Sequence, residues 1–429
     1  MFRTERFRRL FKEGFWIVLG QAMAVLGSLV GVRLLTELLD PAAYGQLALG
    51  MTVATLVNQT VLGPLGNGIT RFYSPAKERG DLGSYLHAVR RLVFWATGII
   101  MLMILCTVVG LLIARRTDWI AIAFAALIFA ILSGYSSILS GIQNAARQRS
   151  VVALHQGMES WVRFLFAVTL LLWLGATSTA AMIGYILAVI VVLGSQYFFF
   201  RKIVPKNVIG VEDEKNWREQ IWKFSWPFSI FGIFTWAQLA SDRWALGLFA
   251  TMQEVGLYAV LFQLGYYPIA MVNGMITQFL APIFYQRAGD ASNSQRIANV
   301  NNLSWRLTRL SLVVTGAVFL VVLQFHVQIF SVLVAKEYAP VSYLLPWIML
   351  AGGVFAAGQN IALNLMSQMK TRTMMVAKIV TALLGVAFNF AGAYWYGTPG
   401  IVIANILFSI SFFLWMIVLA KSEGVEKCF

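Results

Sequence analysis

Charge is what this sequence has least of. Only 12% of its 429 residues are Asp, Glu, Lys or Arg, against about a quarter in a soluble globular domain. So little charge cannot cover a water-facing surface of that size. The 59% hydrophobic content points instead to a polytopic membrane protein. Cysteine is nearly missing: Cys106 sits in an apolar run and Cys428 near the other end. That excludes a disulfide framework, a Cys-x-x-Cys motif and a prenylation box. Histidine is as scarce. His87, His155 and His326 are the only three, none stands beside a Ser/Asp pair that suggests a triad, and no His/Cys cluster offers a catalytic metal site. There is no G-x-x-x-x-G-K-[ST] loop, so ATP hydrolysis by that device is excluded, and no cofactor or metal is expected.

What the chain does have is long apolar runs. Hydropathy predicts twelve spans, at 14–36, 45–68, 92–114, 119–141, 151–174, 179–200, 224–250, 256–282, 309–333, 344–366, 374–396 and 400–420. Most match the roughly 20 residues that a bilayer crossing needs. The expected fold is an all-α polytopic membrane protein with twelve transmembrane helices in two six-helix lobes around a central cavity. The N-terminal lobe covers 1–205, a cytoplasmic linker 206–223 and the C-terminal lobe 224–429. The basic lead MFRTERFRRLFKEG is followed by no small-residue cleavage site, so the first span reads as retained. Of the 33 Lys and Arg residues, only Arg115, Arg116 and Lys336 fall on loops placed outside. Positive-inside bias therefore puts both termini in the cytoplasm of a cell-membrane protein. The net charge of +15 is topology and anionic-lipid contact rather than a nucleic-acid footprint.

The outer loops, such as DPAAYG, ARRTD and YGTPG, are short. A membrane enzyme such as a polymerase or ligase would need a surface on which to hold chemistry, and none is visible. The halves echo each other: NGITRF at 67–72 against NGMITQF at 273–279, and RQR at 147–149 against the KTR that enters a late span. Both halves start inside, so the repeats are parallel, with a cavity between lobes that can rock.

Four cations fall within spans: Arg33, Arg163, Arg243 and Lys378. A charge at that depth costs several kcal/mol unless it faces water or a partner, so all four are candidate substrate-binding residues lining the cavity. His155, Glu159 and Arg163 share one helical stripe. They read either as an internal ion pair or as a wall that binds an anion or relays a proton. Asp242 and Arg243 are adjacent and point about 100° apart, which predicts that they do not neutralise each other. His155, Glu159 and Asp242 are thus the candidates for ion coupling. Gly20, Gly27 and Gly31 lie on one stripe, predicting close approach of a neighbouring helix. Gly63, Pro64 and Gly68 mark a soft point at the inner end of the second span. Asn389, Asn405 and Gln238 read as interhelical hydrogen-bond glue.

Several stretches resemble a known family: RLLTELLDPAAYG from Arg33 to Gly45, then GNGITRF to Phe72, then SDRWALGLF from Ser241 with EVGLY ending at Tyr258, and AKEYAPVSYLL from Ala335. Together they resemble the polysaccharide-repeat flippases of the multidrug/oligosaccharidyl-lipid/polysaccharide exporter superfamily. The resemblance implies a two-lobe fold that turns a polyprenyl-diphosphate-linked oligosaccharide from the inner to the outer leaflet, for surface polysaccharide synthesis. It implies no enzymatic step. Its partners would be that lipid-linked oligosaccharide, membrane lipids and a polysaccharide polymerase of the same pathway, with no nucleic acid. Arg33 and Arg243 fall on the motif positions where family members carry cavity cations; Arg163 and Lys378 are assigned only from their place within predicted spans. The alternative is a cation-coupled multidrug exporter of the same superfamily, which would require acidic groups to dominate the cavity.

Overall fold

Asp40, Thr177, Thr251 and Asn293 each stand at the start of a helix and cap it with a side-chain oxygen. The structure, a computed structural model, describes residues 2–202, 214–289, 293–368 and 371–425, and these are helical almost throughout. Cys428 and the first part of the polar stretch 206–223 lie outside the described residues. From Glu214 onward that stretch is already helix.

The first helices are α1 (Phe2–Leu38), α2 (Pro41–Val57), α3 (Gly63–Glu78), α4 (Leu82–Ile113), α5 (Ile120–Ala145), α6 (Arg149–Leu174) and α7 (Ser178–Arg201). They are followed by α8 (Glu214–Phe249), α9 (Met252–Ala288), α10 (Ser294–Leu333), α11 (Leu345–Ser367) and α12 (Thr371–Val425). Asp40 caps α2 by accepting the Ala43 N–H at 2.7 Å, with Pro41 in the first turn. Thr177 and Thr251 do the same for α7 and α9. In each case a side-chain oxygen satisfies a backbone donor that the helix itself leaves open.

Ten stretches are long and apolar enough to cross a membrane, and the protein is a multi-pass membrane protein. Three of the twelve expected spans take another form. The span at 224–250 lies within α8, whose apolar run is diluted by Ser225, Trp226, Pro227, Ser229 and Gln238. The last two spans form one run, Thr373–Lys421, interrupted at Gly397, where φ is 59° and ψ −135°. Past that break the chain doubles back: a Cβ on Gly392 would lie 2.4 Å from the Gly400 carbonyl oxygen.

The chain divides into two compact units, Met1–Trp236 and Ala237–Phe429, so that the dividing line falls inside α8. In the first unit, α5 packs against α2, α3, α4 and α7, while α6 joins α1 to α7. The glycine stripe of α1 lies on α6: Gly20 faces Ala153, Gly27 faces Ser160 and Gly31 faces the Phe164 ring. α2 ends in a π-helical turn, Asn58–Leu62, in which the Gly63 N–H reaches back to the Asn58 carbonyl. Pro64 explains the turn. It has no N–H to offer an α-helical acceptor, and its ring would crowd the carbonyl four residues earlier. The predicted soft point is therefore a real irregularity, shifted one turn earlier. α9, by contrast, runs helical through Pro268.

The start of α8 is fastened to the same unit. Trp217 is buried, donates its indole N–H to Asp81 Oδ2 at 2.6 Å and packs edge-on against Phe72 and Tyr85. Farther along, Gly232 lies so close to the Gln59 carbonyl that a Cβ would sit 2.0 Å from its oxygen, and Trp236 donates to the Thr52 carbonyl at 2.7 Å. In the second unit α11 is the hub, packed by α9, α10 and α12, and most of its length is buried. α4 and α10 turn Phe94, Trp95, Leu102, Leu310, Val313 and Leu320 outward. Apolar faces of that extent suit acyl chains and not water.

Candidate functional site

The residues that could carry function gather most densely in the second unit, where α8, α9 and α12 enclose a narrow cleft. It is lined by Gln238, Asp242, Phe262, Tyr266, Asn389 and Asn405, among others. Asp242 lies at its wall with a side chain only 3% exposed. A carboxylate that deep must be compensated, and three donors do so. Oδ1 accepts the Arg243 backbone N–H at 2.7 Å and Arg243 Nη1 at 3.2 Å, and Oδ2 accepts the Tyr258 hydroxyl at 2.7 Å. The Asp242–Arg243 reading from helical geometry is thus corrected. Neighbouring Cα–Cβ bonds diverge, but the arginine side chain is long enough to fold back along the helix, where Nη1 also donates to the Leu239 carbonyl at 2.9 Å.

The network continues outward from this pair. Asn405 on α12 donates to the Tyr258 hydroxyl at 3.1 Å and to the Ile401 carbonyl at 2.9 Å. Asn389 donates to Ser241 Oγ at 2.9 Å. The Arg243 guanidinium lies 4.3 Å from the centre of the Phe262 ring, which itself stacks on Tyr266. Sequence reasoning found Asp242, Arg243 and both asparagines but missed Tyr258 and the aromatic floor. The signal was present, because Tyr258 closes the EVGLY motif. Glu254, which opens that motif, receives the Thr398 N–H at 2.8 Å and its hydroxyl at 3.0 Å, and so secures the chain at the Gly397 break.

In the first unit the predicted residues are paired rather than free. Arg33 Nη2 meets Glu37 Oε1 at 2.6 Å, with both side chains substantially exposed. Arg163 pairs with Glu159 one turn earlier, and its guanidinium lies 5.5 Å from both the Phe129 and Tyr185 rings. His155 belongs to neither pair. It is buried, with Nδ1 at 2.7 Å from the Val151 carbonyl and Nε2 at 3.0 Å from Ser195 Oγ, tying α6 to α7. The stripe of His155, Glu159 and Arg163 is thus an ion pair plus a separately engaged histidine. Arg33 and Arg243, expected as cavity cations without a neutralising partner, are corrected to paired, and Arg163 takes the ion-pair alternative of its stripe. Lys378 on α12 is half-buried, and among the described residues it makes no ion pair. Among the described residues there is no group of three or more His, Cys, Asp or Glu placed to hold a metal ion.

Comparison with known proteins adds what the side chains alone do not say. The model of the polysaccharide biosynthesis protein family matches residues 10–287. No curated protein matches the chain. Among solved structures the chain is similar to an inward-facing multidrug resistance MATE family transporter of the MOP superfamily. There the identity is 13%, the coverage 94% of this chain and 95% of that one, and the TM-score 0.71. It is also similar to the lipid II flippase MurJ in its inward closed conformation, at 13% identity, 96% and 87% coverage and a TM-score of 0.67. A MOP superfamily transporter from Pyrococcus furiosus Vc1 (DSM3638), described by the reverse polarity of its binding pocket, aligns at 16% identity, 95% and 94% coverage and a TM-score of 0.53. Identities this low speak for the fold alone.

Proposed function

The chain belongs to the polysaccharide biosynthesis protein family, and from that premise we propose that it is a flippase. It carries a polyprenyl-diphosphate-linked oligosaccharide repeat from the inner to the outer leaflet of the cell membrane, by alternating access and without covalent chemistry. Both termini lie in the cytoplasm, and a polymerase of the same pathway takes up the product. The observation that carries this reading is the joining of two facts. A family named for polysaccharide synthesis is matched over most of the chain, and the fold is one shared by MOP superfamily transporters.

Physical chemistry supports the same reading. A diphosphate bearing sugars cannot cross about 30 Å of hydrocarbon unaided, whereas its lipid tail needs no help. The protein must therefore shelter the polar end and leave the tail in the bilayer. Arg33, Arg163, Arg243 and Lys378 are the cations proposed to meet diphosphate or acidic sugar, and Lys378 is the most available of them. Arginine suits the task because its fork matches phosphate oxygens and it keeps its charge when desolvated. Glu159, Asp242 and His155 are the groups proposed for ion coupling. A multidrug exporter would need a surplus of intramembrane acid, and here Glu159 and Asp242 are each matched by an arginine.

The test is cellular. In a deletion strain, the lipid-linked repeat should accumulate on the cytoplasmic side and surface polysaccharide should be lost, with drug susceptibility unchanged. Complementation with Lys378→Ala should restore export at least tenfold less well than the parent, and Lys378→Arg should restore most of it. A repeat that still reaches the outer leaflet in the deletion strain, with only its polymer length altered, would replace the flippase with a polymerase.

A further inference from the structure

Where α4 and α8 enter the membrane from the side assigned to the cytoplasm, they repeat one order of residues. On α4, Arg91 is followed one turn later by Trp95 and, on the same face, by Leu102, all exposed. On α8, Arg218 is followed one turn later by Trp222 and then by Ile233, and both of these are exposed. Cation, tryptophan, aliphatic is the order met on passing from headgroups through the interface to acyl chains. We propose that these two helix starts form a binding site for one acidic phospholipid of the inner leaflet. Arg91 and Arg218 take its phosphate, and Trp95 and Trp222 take its glycerol and upper acyl chains.

Three observations lead to it. First, the two arginines are brought together from distant parts of the chain. Arg91 Nη1 lies 3.4 Å and Arg218 Nη1 4.0 Å from the same oxygen, Glu214 Oε1. Two guanidinium groups on one carboxylate leave a positive charge over. Second, both contacts are long. A charge-assisted hydrogen bond closes to about 2.7–2.9 Å, as Lys223 and Glu219 do at 2.7 Å on the same helix. Glu214 thus gathers the arginines without engaging either fully, and each keeps donors in its fork for a phosphate oxygen. Third, Trp95 and Trp222 are 61% and 55% exposed. A tryptophan so exposed on a membrane protein suits the interface, with its ring body among chains and its N–H among headgroups. An ion network whose one task was to fasten α8 would close its pairs and would have no use for these rings.

The test counts bound lipid. The full chain in detergent micelles is titrated with phosphatidylglycerol and with phosphatidylcholine and followed by native mass spectrometry. The parent should bind one phosphatidylglycerol about tenfold more tightly than phosphatidylcholine, as expected when cations meet an acidic lipid. Arg91→Gln/Arg218→Gln should lose that preference. Arg309→Gln, which removes an exposed arginine from α10, should keep it. Glu214→Gln takes away the competitor for both arginines and should tighten phosphatidylglycerol by about threefold; a carboxylate that only fastens α8 would give no gain. Should the double variant fail to fold, Glu214→Gln decides alone. An equal loss in Arg309→Gln would mean diffuse attraction to a basic surface. Displacement by glycerol phosphate would mean a soluble ligand, and displacement by polyprenyl diphosphate would mean a station on the transport path. Each of these, or no gain in Glu214→Gln, overturns the proposal. Only the leaflet is taken from the orientation proposed above, and titration in micelles does not depend on it.

Discussion

At the scale of single residues, Tyr258 decides whether Asp242 is tolerable. Its hydroxyl is one of three donors to a carboxylate that is almost fully enclosed, and it also accepts from Asn405. Replacing it with Phe keeps the ring and removes the donor, leaving Asp242 short of a partner. That should cost about 1–3 kcal/mol, read as a lower thermal unfolding midpoint in detergent. The same change made on an Asp242→Asn background should cost distinctly less, because contacting residues do not contribute additively; equal losses in the two backgrounds would sever the link. Tyr258 was hard to see in the sequence because an aromatic residue in an apolar run looks like core or lipid contact. Only the neighbourhood of a buried acid gives its hydroxyl a purpose. The pairing of Asp242 with Arg243 was hidden for a related reason. Helical direction describes where a side chain begins, and arginine is long enough to finish elsewhere.

At the scale of elements, the best-written feature is the glycine stripe of α1. Close packing of two helices in a membrane requires small residues at the contact, and the spacing of Gly20, Gly27 and Gly31 states the face without ambiguity. A Cβ on Gly31 would lie about 2.1 Å from the Phe164 ring, so Gly31→Ala forces α1 and α6 apart or swings the ring. The expected loss is about 1–3 kcal/mol. Trimming the obstacle in Gly31→Ala/Phe164→Leu should recover part of it, and thermal unfolding of the two variants should show the coupling. A double variant less stable than the sum of its parts would place the strain somewhere else. The π turn at Asn58–Leu62 was half legible. Pro64 announced an irregularity, but proline says only that a hydrogen bond is missing, not how the preceding turn will adapt. α8 was legible as a helix yet weak as a span, because Ser225, Trp226, Pro227, Ser229 and Gln238 dilute its apolar run.

At the scale of the whole molecule, the distribution of charge makes the firmest forecast. Arg79 and Arg218 fall on segments assigned to the cytoplasm, and Arg116 and Lys336 on loops assigned outside. Alkaline phosphatase fused after Arg116 or Lys336 should be active, and after Arg79 or Arg218 inactive; the reverse pattern would invert the orientation and with it the direction of flipping. The multi-pass class and the helical runs were plain in the sequence, since apolar length is a local property. Which cations stay unpaired was not, since Glu37, Glu159 and Asp242 all stand within four residues of their arginines, and whether each pair closes turns on side-chain rotamers that spacing does not fix. Lys378 illustrates the limit: that it makes no ion pair among the described residues follows from which residues come near it, and sequence order does not give them.

The fastening of α8 by Trp217, Gly232 and Trp236 has a practical corollary. A protein severed ahead of Glu214 would deprive the N-terminal piece of the strut that fills its groove, and such a piece made alone should be degraded. Carried on to Trp236, the same piece should persist. When two genes divided at any point within 203–213 are expressed in one cell, their products should find each other and restore export, because recognition runs through a buried indole and a few backbone carbonyls rather than through an unbroken peptide.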